Sequence, residues 1–188
     1  MIGSMTYPSW SYYPRNTRPP KWATDLVGAV ASHHSEIDTA PVRADGADRL
    51  TSDYVLAKIR SSMEAIGYTV ESGKQASQKI TRPVLFGEDG RPQISYDIDA
   101  FHDELGIAVE VEAGRGSNGN ADYRDIVRTS LLLDANFFVL MMPISYHFKS
   151  GGRPQVVTGY ANSRGQLDAI YASQRLRLPF DGVLLIGY

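Results

Sequence analysis

Hydrophobic positions along the chain fall into stretches of different period. Val55, Leu56, Ile59, Met63 and Ile66 recur at three- and four-residue spacing, so they lie on one stripe of an α-helix. Thr51 or Ser52 caps this helix and Gly67 ends it. Residues Trp22 to about Ile37 and Asp122 to Leu133 are also helical in pattern, and Gln166 to Arg175 is a further helix candidate. Strand patterns occupy YTVE, Pro83 to Gly87, Gln93 to His102 and Gly106 to Ala113. Asn136 to Met142 and the terminal GVLLIGY are short apolar runs of the kind found in buried strands. TAPVRADGADR reads as a linker, and SGKQASQKITR and SGGRPQ as polar loops, with Lys74 and Lys79 solvated in the first. Helix, strands, helix, strand, helix, strand is an α/β order, a central sheet with helices on its faces.

Residues 1–22 hold four prolines and five Tyr or Trp side chains, and the prolines leave no regular period. They read as an irregular arm whose aromatics lie in grooves of the core; residues 23–188 form a single domain, which suits a chain of 188 residues. A second use of the arm is nucleic-acid contact through its rings with Arg15, Arg18 and Lys21. The net charge of -2 argues against electrostatic coating of nucleic acid, so a nucleic-acid role must rest on a local site. With no cysteine in the chain, thiolate chemistry is excluded and any metal is held by oxygen or histidine. The longest apolar run, Phe137 to Met142, is too short for a membrane span, and a cytoplasmic location without membrane partners is the expectation.

The candidate chemistry sits between the second and third helices. Asp97 and Asp99 share one face of a strand, and Glu110 and Glu112 share one face of the next, with Val109 and Val111 on the other side. A turn of Asp103, Glu104, Leu105 and Gly106 closes a hairpin that brings Asp99 near Glu110 and Asp97 near Glu112. From Tyr96 to Glu112 there are six acidic residues and no Lys or Arg. Like charges across a sheet are unfavourable, and cross-strand side chains lie about 4.5–5.5 Å apart, so a hard divalent cation is the economical neutraliser. Gly114, Gly116 and Gly119 spell a GxGxxG spacing, but the preceding strand carries Glu110 and Glu112 and the helix starts only at Asn120 or Asp122. A pyrophosphate-binding turn requires an apolar strand and a helix that begins within the glycines, so the loop reads as a sharp turn beside a metal site.

Asp97 or Asp99, a turn, then Glu110-Val111-Glu112 resembles the active-site hairpin of the PD-(D/E)xK superfamily, the fold of type II restriction endonucleases and many repair and recombination nucleases. The similarity runs from SDYVLAKIRSSMEAIG as first helix to DYRDIVRTSLLL as following helix and NFFVLMM as buried strand, roughly Ser52 to Met142. The resemblance implies a restriction endonuclease-like core, a mixed central β-sheet flanked by helices, and hydrolysis of nucleic-acid phosphodiesters, DNA in the first place, dependent on Mg²⁺ or Mn²⁺. By position it makes Asp99 (or Asp97), Glu110 and the carbonyl of Val111 metal ligands. Glu112 occupies the place usually held by lysine, as in the ExE version of some restriction enzymes, and acts as general base or second metal ligand. No proline precedes the aspartates: Tyr96 and Ile98 stand there. A homodimer is implied by the same resemblance.

Around this centre, Glu64 or Glu71 is a candidate outer ligand through water. Arg124 and Arg128, four apart on one helix face, and Arg115 in the glycine loop are candidates for phosphate contact. Two rivals predict different behaviour. A nuclease-like fold without turnover, serving as a nucleic-acid or protein binding module, would bind without metal dependence, and a dinucleotide enzyme using the glycine loop would survive loss of Glu110.

Overall fold

The computed structural model describes residues 7–40, 50–113 and 120–188. The first element is a strand, β1 (Ser9–Tyr13), in the segment expected to be irregular. Prolines flank it without interrupting it, and Tyr12 and Tyr13 are buried, so ring burial and pairing at a sheet edge hold these residues extended. Next come α1 (Lys21–Ala31), a single turn α2 (His34–Ile37) and α3 (Ser52–Glu64). Thr51 caps α3, accepting from the Tyr54 amide at 3.2 Å. Such a cap is worth about 1 kcal/mol. His33 joins α2 to α3 by bonding Glu36 at 2.8 Å and Ser62 at 2.9 Å.

The central region contains β2 (Thr69–Val70), β3 (Ile80–Phe86), β4 (Pro92–Ile98), β5 (Ala100–His102), β6 (Ile107–Val111), α4 (Ala121–Thr129) and β7 (Phe137–Met142). The chain ends with β8 (Tyr146–Ser150), β9 (Arg153–Val157), α5 (Gly159–Ala172) and β10 (Gly182–Gly187). Thus the polar SGGRPQ stretch is the tip of a β-hairpin, turned by Gly151 and Gly152, rather than a plain loop. The last helix starts seven residues before the expected Gln166.

A six-stranded mixed sheet has the order β1-β10-β7-β6-β5-β2. The central strands β10, β7 and β6 are parallel, and the outer pairings are antiparallel. Alternation along these strands divides the core. Val109, Val111, Val139, Met141, Leu184 and Ile186 pack with α1 and α3 on one face. Phe138, Leu140, Met142, Val183 and Leu185 pack with Ile126 of α4 and Leu167 and Ile170 of α5 on the other. By the same alternation Ala108 and Glu110 point to the α4 side.

The hairpin expected from Gln93 to Ala113 has its turn but not its full length. His102 pairs with Ile107 and Ala100 with Val109, the register read from the turn. At Asp99, however, the strand breaks. β4 leaves to pair with β3 in a separate two-stranded ribbon, while β5 stays in the main sheet between β6 and β2. One segment therefore serves two sheets, and Asp99 stands at the junction.

Candidate active site

One step past the Ala100 and Val109 pair, Asp99 comes level with Glu110. Its Oδ2 accepts the Val111 amide at 2.7 Å, taking the place that the Ile98 carbonyl would have had if the ladder continued. Its own carbonyl accepts the Glu71 amide at 2.8 Å. In an extended residue the carbonyl points to the same side as the amide, so the Val111 carbonyl faces the Asp99 side. Glu110 is 9% exposed, beneath α4. Glu112 lies just beyond β6: its amide donates to the Met141 carbonyl at 2.9 Å and its carbonyl accepts the Tyr188 hydroxyl at 2.7 Å. The main chain of Glu112 is thus fixed by the next two parallel strands.

From α4, Arg124 Nη2 meets Glu112 Oε1 at 2.7 Å and its Nε meets Asp125 Oδ1 at 2.9 Å. Asp125 is 1% exposed, and its Oδ2 meets no N–H donor among the described residues. Arg128 reaches no carboxylate among the described residues. It donates to the Asp97 carbonyl at 3.2 Å and lies over the Tyr96 ring at 5.0 Å. α4 is itself anchored to α5, where Ser163 donates to Asp122 Oδ2 at 2.9 Å in a buried bond.

These carboxylates keep their protons to unusually high pH. Burial pushes Asp99 up to about 6; Glu71 and Asp125 add to the rise, and the Val111 amide opposes it. Burial raises Glu110 well above the carboxylate range, reinforced by the charges of Asp99 and Asp125 and opposed by Arg128. Glu112 is pushed up to about 8 by burial first and then by a hydrogen bond to Asp125, against the pull of Arg124.

Asp99, Glu110, Val111 and Glu112 are therefore brought together, with Arg124 beside them. Asp97 is not. It is exposed on the β3–β4 ribbon and accepts from Thr81 at 2.8 Å, because the chain leaves the main sheet at Asp99. Of the two outer candidates, Glu71 reaches the site and Glu64 does not. Glu64 is exposed beside the Gly67 turn, at the far end of β2. Arg115 lies outside the described residues, as do Gly114, Gly116 and Gly119.

Sequence reasoning missed two members. Asp125, not among the residues singled out from the sequence, is a buried acid of the cluster. Its i, i+3 spacing from Asp122 was the available signal. Lys79 was read as solvated, yet its ammonium meets Glu71 Oε1 at 2.6 Å and is only 27% exposed. Its charge also lowers the Asp99 pKa. Nothing local marks it, since β3 brings it in from outside the hairpin.

An all-oxygen donor set of mutually repelling buried acids suits Mg²⁺ or Mn²⁺. Among the described residues, no three His, Asp or Glu side chains converge into a ready ligand group. Glu112 is engaged by Arg124 and Asp99 by the Val111 amide, so an ion would be bound by exchanging these contacts. No helix among the described residues is long and apolar enough to cross a membrane. No protein-family model matches the chain, and no curated protein matches it.

Proposed function

We propose that the chain is a Mg²⁺-dependent nuclease that hydrolyses phosphodiester bonds of nucleic acid, DNA in the first place. The observation that carries the reading is the grouping of Asp99, Glu110, Glu112 and Asp125 under α4, which keeps protons on three of these acids to high pH. Buried acids perturbed by one another in this way are characteristic of sites that bind a cation or move a proton. Asp99, Glu110 and the Val111 carbonyl would hold Mg²⁺, with Glu112 as second ligand or base. When bound, Mg²⁺ supplies positive charge that lowers the pKa of the attacking water and offsets charge on the leaving oxygen.

The protein's own groups have separable tasks. Glu112, whose carboxyl is pushed up to about 8, can act as base once its proton has been given up. Lys79 holds Glu71 and stabilises ionised Asp99 without touching β6. Arg124, released from Glu112, is placed to contact a phosphate oxygen, and Arg128 and Arg115 are further candidates. Restriction endonuclease-like architecture and a homodimeric state belong to the same proposal.

The test is cleavage of linear, supercoiled and single-stranded DNA and of RNA with Mg²⁺, Mn²⁺ or EDTA, comparing wild type with Glu110→Gln. Metal-dependent cleavage lost in the variant supports the reading. A second reading, a nuclease-like binding module without turnover, is favoured by the Arg124–Glu112 ion pair at 2.7 Å, which occupies the candidate base. It is the outcome if nucleic acid binds equally with and without metal and nothing is cut.

A further inference from the structure

Beside the acid cluster, on the α3 side, lies a pocket of about 300 Å³ lined among others by Arg60, Lys74, Ser72, Gly73, Glu71 and Asp53. We propose that this pocket binds a phosphate of the nucleic-acid strand adjacent to the one being cleaved; the proposal rests on the nuclease reading for its ligand. Glu71 belongs to both places. It lines the pocket, and its amide is bonded to the Asp99 carbonyl at 2.8 Å. A strand bound over Asp99 and Glu110 would continue past Glu71 toward this pocket.

The charges favour an anion. Arg60 makes one hydrogen bond from Nη2 to the Glu71 carbonyl at 2.9 Å, while its Nε is buried without a partner among the described residues. Its guanidinium is thus paired with no carboxylate there. Lys74 is 86% exposed and meets Asp53 only at 3.6 Å, a loose surface pair. Such exposed pairs contribute little, so Lys74 can turn to a phosphate at little cost. Glu71, the second acid, is matched by Lys79. Arg60 and Lys74 stand against Asp53 and Glu71 in the lining, and since Lys79 from outside it neutralises Glu71, one positive charge is left over. Ser72 and Gly73 line the same space, and hydroxyl and main-chain amide groups are neutral donors of the kind phosphate sites use.

The experiment is fluorescence anisotropy of labelled 20-nucleotide single-stranded and duplex DNA in EDTA, between 25 and 200 mM NaCl. Wild type is compared with Arg60→Gln, Lys74→Gln and a control, Arg177→Gln, an exposed residue between α5 and β10. Each pocket variant is expected to weaken binding about 3- to 10-fold. The slope of log K against log salt should shrink by about 0.9 for duplex or about 0.7 for single strands, as when one phosphate contact is lost, and the control should leave it unchanged. Circular dichroism verifies folding; should Arg60→Gln fail to fold, the exposed Lys74 decides alone. Unchanged slopes in the pocket variants overturn the proposal, as does absence of wild-type binding. Failure of the nuclease reading looks different: binding with the expected slope changes, but no metal-dependent cleavage by wild type.

Discussion

A carboxyl that stays protonated in the folded state costs stability wherever the unfolded chain has already ionised. Asp99 at about 6 and Glu112 at about 8 are both raised from ordinary values, and Glu110 is raised with them. With unfolded values of about 3.9 and 4.3, their contribution is fully present below about pH 4 and is lost as the pH rises through about 6 and then about 8. Urea titrations of the metal-free protein should therefore give falling stability from pH 4.5 to 8.5. Glu110→Gln and Glu112→Gln should flatten that fall and be more stable than wild type at pH 8; a rise across the interval in wild type would show that the acids are not held together. Metal-dependent cleavage should drop at least 100-fold in Glu110→Gln, which keeps the side-chain shape and removes the charge. Asp125→Asn is the finer test, since it leaves the hairpin untouched: cleavage should fall about 10-fold or more, and Mn²⁺ affinity measured by calorimetry should weaken with it. The ExE pair and Asp99 were legible because strand alternation and a short turn fix their relation. Asp125 and Lys79 were not, because they arrive from a helix and from a ribbon whose positions depend on tertiary packing.

Elements were legible where one period ran uninterrupted. The α3 stripe, the apolar β7 and the turn before β6 all come from local pattern, and all are found. The break at Asp99 was not, because alternation continues through it: Asp97, Asp99 and Phe101 keep one phase while the partner strand changes from β3 to β6. The edge strand β1 was hidden by its flanking prolines, which stop a helix but tolerate an edge strand. The turn that aligns Asp99 with Glu110 depends on Gly106, at φ 65° with the Asn136 and Phe137 amides donating to its carbonyl at 2.8 and 2.9 Å. A Cβ there would lie 2.6 Å from the Asp134 carbonyl. Gly106→Ala should cost about 2–3 kcal/mol, combining strain at positive φ with overpacking. Chemical denaturation measures it, and a cost below about 0.5 kcal/mol would mean that the turn does not set the register.

The whole sheet places its candidate chemistry at one edge, where the parallel strands end: Glu112 after β6, Met142 at the end of β7, and Tyr188 after β10, whose hydroxyl bonds the Glu112 carbonyl. Open α/β sheets commonly bind ligands at the carboxyl ends of their strands, and here that edge also carries the least favourable charge distribution in the core. Stability and ligand binding are then linked, since the repulsion that weakens the free protein at high pH is what a cation relieves. Binding to the folded state alone stabilises by about 2.7 kcal/mol at a hundredfold excess over Kd, and for a chain of this size each kcal/mol raises Tm by about 2–4 °C. Mg²⁺ or Mn²⁺ at 10 mM is therefore expected to raise Tm by about 5–10 °C at pH 8 if its Kd is about 0.1 mM. The gain should be smaller at pH 5.5, where Glu110 and Glu112 hold protons that a cation must displace. Glu110→Gln should lose most of the gain at pH 8, while Asp97→Asn, altering the exposed ribbon, should retain it. Scanning calorimetry of the three proteins at both pH values, with matched ionic strength, separates this linkage from general salt effects. An equal rise in wild type and Glu110→Gln would place any bound cation away from the cluster and leave the raised carboxyls as a feature of the scaffold.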